Sequence, residues 1–97
     1  MPYGGFYTSH LREEGLGLLE SVSEALEIGK QANIPVVLTH HKVVGQPMWG
    51  SSDITLAMVD SARIAGTDVM IDQYPYTASH SGITILIPAW AMEGGTD

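Results

Sequence analysis

The 97-residue chain has no cysteine, a single phenylalanine, and four Lys+Arg against eleven Asp+Glu, for a formal net charge of −7. Without cysteine there are no disulfides, no thiol nucleophile and no Cys-ligated zinc, so any metal must be held by histidine and carboxylate. Four cations are too few to neutralise a phosphate backbone or grip an anionic bilayer, which excludes nucleic acid and membrane as expected partners. No apolar run approaches the ~18 residues of a membrane span. The start, MPYGGFYTSHLREEG, shows neither a basic n-region nor an apolar h-region, so a soluble, cytoplasmic protein is expected. A chain of ~100 residues holds one domain with a modest core. Residues 1–97 are therefore expected to form one unit with no second domain. What remains for chemistry is chiefly the four histidines.

Residues 4–9 (GGFYTS) form a strand candidate that ends at His10. Over 16–32, Leu18, Leu19, Val22, Ala25, Leu26 and Gly29 recur at steps of three and four, while Glu20, Ser23, Glu24 and Glu27 fill the other side. That spacing predicts an amphipathic helix, with Lys30 at the negative end of its dipole and Asn33 as its stop. Residues 35–39 (PVVLT) read as a strand, continuous and β-branched, as expected where helices cover both sheet faces. A loop with Gly45, Pro47 and Gly50 leads to Ser51, Ser52 and Asp53, all N-cap types. The next helix is predicted over 53–65, with Met58, Val59, Ala62 and Ala65 on one stripe and a stop at Gly66. Residues 68–73 (DVMIDQ) form a third strand candidate, ended by Tyr74-Pro75-Tyr76. The stretch 79–97 reads as loop and partial helix, with an apolar patch over 83–87 and a close at Gly94-Gly95.

The order is β-α-β-α-β, the pattern of a parallel sheet with helical crossovers. His10 to His40 is 30 residues and His40 to Tyr74 is 34. This interval is one β/α unit, and eight such units make the ~250 residues of a closed (β/α)8 barrel. A doubly wound open sheet is the competing architecture, but HLREEGLGLL after the first strand lacks the GxGxxG fingerprint.

His10 and His40 fall just past the C-terminal ends of consecutive parallel strands, the edge where binding and catalysis collect in such sheets. Neighbouring strands lie ~4.8 Å apart, so two imidazoles at their ends can converge on one ion; equally, each can cap its strand. His10-Leu11-Arg12 and His40-His41-Lys42 repeat a His-x-cation arrangement that uses two of the four basic residues. Such cations suit an anionic group beside a metal, or plain surface pairing, for instance Arg12 with Glu13 or Glu14. Tyr74 and Tyr76 can donate phenol hydrogen bonds or simply pack, and Asp72 is either a third ligand or an ion-pair or backbone acceptor. His41 and His80 read as structural, and Trp49, Trp90 and the methionines as packing or pocket lining.

The runs FYTSHLREEG, PVVLTHHKVVGQPMWG and DQYPYTAS together resemble the N-acyl-D-amino-acid deacylase (D-aminoacylase) family of the amidohydrolase superfamily. The resemblance implies an α/β fold in which the three strands are the fifth to seventh of a metal-bearing (β/α)8 barrel. It implies that His10, in the family's TH-x-R-x-E-G motif, and His40 are zinc ligands. Lys42 and Tyr74 match positions that hold the substrate's carboxylate and orient the scissile amide, with Arg12 as a further substrate-binding candidate. The implied reaction hydrolyses an N-acyl-D-amino acid to a carboxylate and a free D-amino acid. Zinc would polarise the amide carbonyl and lower the pKa of its water to ~7.

The family's strand-one His-x-His, its frequent ligand cysteine and its strand-eight aspartate have no counterpart in these 97 residues. His80 stands where the family tends to have a small hydroxyl residue. No complete catalytic set is therefore present, and the chain alone is expected to be inactive. Exposed strand edges are expected to promote self-association. The alternative is a non-catalytic structural or assembly module built from the same piece of barrel.

Overall fold

Three short runs of β-branched and aromatic residues separated by two amphipathic stretches build a parallel β-α-β-α-β unit: β1 (Tyr7–Ser9), α1 (Leu18–Ala32), β2 (Val36–Leu38), α2 (Ser52–Ile64) and β3 (Val69–Ile71). A computed structural model of the chain describes residues 3–93, so the expected close at Gly94-Gly95 lies outside the described residues. Strand order is β1-β2-β3, with Tyr7, Val36 and Val69 level with one another, and likewise Ser9, Leu38 and Ile71. Each strand has three residues, shorter than the sequence predicts, because regular pairing stops before His10, at Thr39 and before Asp72.

Period-2 alternation sends Tyr7, Val36, Leu38, Val69 and Ile71 to one face. There they meet Leu18, Val22 and Ala25 of α1 and Val59 of α2, while Leu11 closes the core above β1. Sequential strand order with same-handed crossovers puts both helices on this face, where they also pack on each other. The other face carries Thr8, Val37 and Met70; Thr8 and Met70 are exposed and Val37 is half-buried. The continuous β-branched β2 therefore does not signal helices on both sides. It fits a strand with one helix-covered face and one face open among the described residues.

The helix ends show how local chemistry sets the frame. Asn33 takes the left-handed conformation (φ 51°) that ends α1, and the next N–H, of Ile34, returns to Gly29 O at 3.1 Å. Gly17 precedes α1 without a capping side chain of its own. Glu13 supplies one from upstream, its carboxylate accepting the N–H groups of Gly15 and Gly17. At α2, Ser51 stands at the N-cap but makes no side-chain cap bond, contrary to its residue type. Val59 is buried and Met58 and Ala62 are half-buried as the stripe predicts, whereas Ala65 is exposed because α2 has already ended at Ile64.

After β3 the chain forms two short 3-10 turns, Ile83–Leu86 and Ala89–Met92. The apolar patch there is exposed. Trp49 and Trp90 are also solvent-facing, at 67% and 75% exposure, rather than packing in the core or lining a pocket as expected. Met48 and Met58 do pack against the core.

Candidate metal centre

His10 and His40 come together at the C-terminal edge of the sheet. Their rings lie 4.4 Å apart between centroids at 31°, with His10 Nδ1 facing His40 Nε2. The two residues are not level, however. Register pairs Ser9 with Leu38, so His10 stands level with Thr39, and His40 is one position further on. Strict alternation would send residues offset by one to opposite faces. The backbone at His40 resolves this with φ 44°, a left-handed conformation that histidine adopts more readily than most side chains and that costs ~1–3 kcal/mol. Two bonds from Asp72, just past β3, stabilise the turn: Asp72 Oδ1 accepts the His40 N–H, and Asp72 O accepts the His41 N–H at 3.0 Å. Asp72, considered as a third ligand, thus serves as a backbone acceptor.

Beside the two rings lies a cluster that sequence reading identified only in part. Glu14 carries its carboxylate against both His40 and Lys42: Oε1 is 3.0 Å from His40 Nδ1, and Oε2 is 2.7 Å from Lys42 Nζ. The Lys42 ammonium also reaches Glu14 Oε1 at 2.9 Å, His40 O at 3.2 Å and His40 Nδ1 at 2.9 Å. Its nitrogen stands 5.7 Å from the centre of the Tyr74 ring, within cation–π range. All three charged or ionisable side chains are mostly shielded, at 16% exposure for Glu14, 22% for His40 and 23% for Lys42. Glu14 is anchored through its backbone as well, because its carbonyl accepts the Val44 N–H at 2.8 Å. The sequence signal for Glu14 was the acidic position of the TH-x-R-x-E-G motif.

Arg12 does not join this cluster. Its guanidinium binds Glu24 of α1 through Nε and Nη2, at 2.9 and 2.7 Å, and is 76% exposed. Hydrogen bonding to Glu24 raises its pKa, and the same pair lowers that of Glu24. The reason lies in the neighbouring acids. Glu13 is taken up by the Gly15 and Gly17 amides and Glu14 is turned inward to Lys42, which leaves Glu24 as the carboxylate that Arg12 meets.

His41 turns the other way, into the core side, and is 9% exposed. Its Nε2 lies 2.9 Å from Thr55 Oγ1, and the Thr55 hydroxyl donates to Ser52 O at 3.1 Å. A hydroxyl has one proton, so it accepts from His41, whose neutral ring must carry its hydrogen on Nε2. Nδ1 is buried without a partner, and burial pushes the His41 pKa below its ordinary value. This histidine is structural, as its isolated position suggested. His80 and Tyr76 lie exposed in the segment after β3.

Two imidazoles from adjacent strand ends, one with a carboxylate at its second nitrogen, are a donor set that suits zinc. No group of three His, Cys, Asp or Glu side chains able to hold a metal occurs among the described residues. The chain thus brings together a pair of candidate ligands and the groups around them.

No family model matches the chain. It is 43% identical over 76 residues to a D-aminoacylase and 46% identical over 85 residues to an N-acyl-D-glutamate deacylase, both of Alcaligenes xylosoxydans xylosoxydans. Those matches cover 78% and 88% of this chain but 16% and 17% of the relatives, so the chain spans about a sixth of their length. A crystal structure of D-aminoacylase, described as defining a novel subset of amidohydrolases, superposes with a TM-score of 0.75 at 41% identity, over 80% of this chain and 16% of that one. The N-acyl-D-glutamate deacylase of Bordetella bronchiseptica, solved with zinc and a phosphonate mimic of the reaction's tetrahedral intermediate, gives 0.74 at 40% identity, over 77% and 16%.

Proposed function

Because the chain belongs to the D-aminoacylase family of amidohydrolases, we propose that β1, β2 and β3 are the fifth, sixth and seventh strands of its barrel, carrying part of a zinc-dependent N-acyl-D-amino-acid deacylase site. The observation that carries this reading is the convergence of His10 and His40 beside the Glu14–Lys42 pair at the C-terminal sheet edge. That is the edge on which (β/α)8 enzymes build their sites.

In this reading His10 and His40 hold the metal. Bound there, zinc would polarise the amide carbonyl and lower the pKa of a water to ~7. Lys42 provides the cation for the substrate's carboxylate. Its ammonium is saturated by Glu14 and His40 O, so an incoming carboxylate replaces the longest of these oxygen contacts, 3.2 Å to His40 O, while the two to Glu14 persist. The Tyr74 ring borders the same nitrogen and orients the bound group from the β3 side. Nothing in the cluster is free to take the proton of an attacking water, since Glu14 is committed to Lys42 and Asp72 to the His40 amide. These 97 residues alone are therefore inactive: further strands would pair at the outer edges of β1 and β3, and the open face with Thr8 and Met70 would become the barrel interior.

Zinc titration by calorimetry tests the assignment. Binding of one ion, weakened at least tenfold by either His10→Ala or His40→Ala, is the expected result. Equal affinity in wild type and the double variant would overturn the ligand assignment. Zinc-dependent hydrolysis of N-acetyl-D-amino acids well above the double variant's rate would overturn the inactivity of the isolated chain.

A further inference from the structure

The nitrogen of His40 that faces away from His10 has two neighbours of opposite character. Lys42 Nζ lies 2.9 Å from Nδ1, and Glu14 Oε1 lies 3.0 Å from it. The two demand opposite tautomers. An ammonium donating to Nδ1 requires a bare Nδ1 and places the ring hydrogen on Nε2, which then has no lone pair for a metal. A carboxylate accepting from Nδ1–H leaves Nε2 bare and pointing at His10. The hydrogen-bond inventory decides between them. The three ammonium protons of Lys42 find Glu14 Oε1, Glu14 Oε2 and the His40 carbonyl, all within 3.2 Å, and need no fourth acceptor. A bare Nδ1 facing Glu14 would set two acceptors against each other at 3.0 Å, in a site shielded from water.

We infer that Glu14 is a positioning residue that holds His40 in its Nδ1–H tautomer, presenting Nε2 to the metal, while the same carboxylate keeps the Lys42 ammonium beside it. The inference rests on the metal-ligand reading above and deepens it. One side chain ties the metal ligand to the anion-binding lysine, so the metal and the substrate's charged group are held at a common distance. The geometry explains why Glu14 is turned inward while its neighbour Glu13 is spent on the Gly15 and Gly17 amides. It also explains the left-handed backbone at His40, which swings the ring between the Glu14 carboxylate and His10.

Long-range proton–nitrogen correlation spectra of the metal-free chain, near pH 8 where imidazoles are ordinarily neutral, read the tautomer directly. His40 should show a protonated Nδ1 and a bare Nε2, in contrast to His41 with its hydrogen on Nε2. Lys42→Met should leave the His40 pattern intact. Glu14→Ala should shift His40 toward the Nε2–H form and weaken zinc binding by about 10–100-fold, the usual effect of losing a carboxylate behind a ligand histidine. Glu14→Gln, whose amide oxygen can still accept from Nδ1–H, should restore the tautomer and most of the affinity, which separates positioning from folding. A wild-type His40 with its hydrogen on Nε2 would overturn the inference. So would a Glu14→Ala chain with both tautomer and zinc affinity unchanged. If zinc binding proves insensitive to His10 and His40, the metal reading fails; the metal-free tautomer still decides the role of Glu14.

Discussion

Gly29 lies in the last turns of α1, where the helix crosses β2, and a methyl group there should destabilise the protein. A Cβ built on Gly29 falls 2.1 Å from Val36 Cγ2, whereas ordinary contact begins at 3.4 Å, so the two carbons would have to separate by about 1.3 Å. Moving sideways is blocked by Ile34 O and Thr67 Cγ2, both at 3.3 Å. Val36 can give little. It is fully buried, its N–H is bound to Asp68 O at 2.8 Å, and a β-branched side chain is stiff about χ1. Two effects compete. Alanine gains ~1 kcal/mol over glycine in a helix interior, and overpacking a tight core costs ~1–3 kcal/mol. With every neighbour pinned, the upper end of that cost applies. Gly29→Ala should then lose about 2 kcal/mol net, which lowers the melting temperature by roughly 10 °C in a domain of this size. Circular dichroism during thermal and urea unfolding measures it. A Gly29→Ala, Val36→Ala pair should be less destabilised than the sum of its members by ~1 kcal/mol or more, because removing Cγ2 removes the clash. A single Gly29→Ala variant as stable as wild type, or more so, would refute the close approach of α1 to the strand that carries His40.

The turn at His40 offers a second test. Asp72→Ala removes the acceptor of the His40 N–H and should cost about 1 kcal/mol in thermal unfolding, together with a severalfold loss of zinc affinity by calorimetry; Asp72→Asn should recover most of both. Thr55→Val strips the partner from His41 Nε2 and should cost ~1–3 kcal/mol, read as a lower urea midpoint with unchanged slope. His41 also makes stability depend on pH. Burial holds its folded pKa below the ordinary 6.5, so the unfolded chain binds the proton first. The stabilisation is complete above about pH 6.5 and is lost as pH falls from there through the folded value. Urea midpoints of metal-free protein between about pH 8 and 5 should fall more steeply for wild type than for His41→Gln. Parallel profiles would show that the buried ring does not titrate in this way.

Much of the fold is legible in the residues because the signals are local. The three- and four-residue spacing of Leu18, Val22, Ala25 and Gly29 predicts the buried side of α1, and Asn33 marks its end by adopting the left-handed conformation the helix stop requires. Runs rich in β-branched and aromatic residues predict the strands, although only three residues of each pair. Residue type misleads where a partner decides the outcome. Ser51 is an N-cap type that makes no cap bond, and Trp49 and Trp90 are large apolar side chains left in solvent. The site divides in the same way. His10, His40, Lys42 and Tyr74 lie at strand ends, where spacing makes them candidates and the resemblance to the deacylase motifs gives them roles, and the structure gathers them. Arg12 satisfies the same spacing and goes to Glu24, 12 residues away on the helix.

By itself the sequence determined the elements, their parallel order and the pair of histidines one β/α unit apart, since periodicity, turn residues and interval are properties of neighbours along the chain. The tertiary structure decided which carboxylate meets which cation, which ring nitrogen faces which partner, and that a left-handed turn at His40 cancels the one-residue offset of the two histidines. Those choices depend on groups 28 to 32 residues apart, such as Glu14 with Lys42 and His40 with Asp72. Their energies arise only when folding brings the strand ends together and removes the water between them.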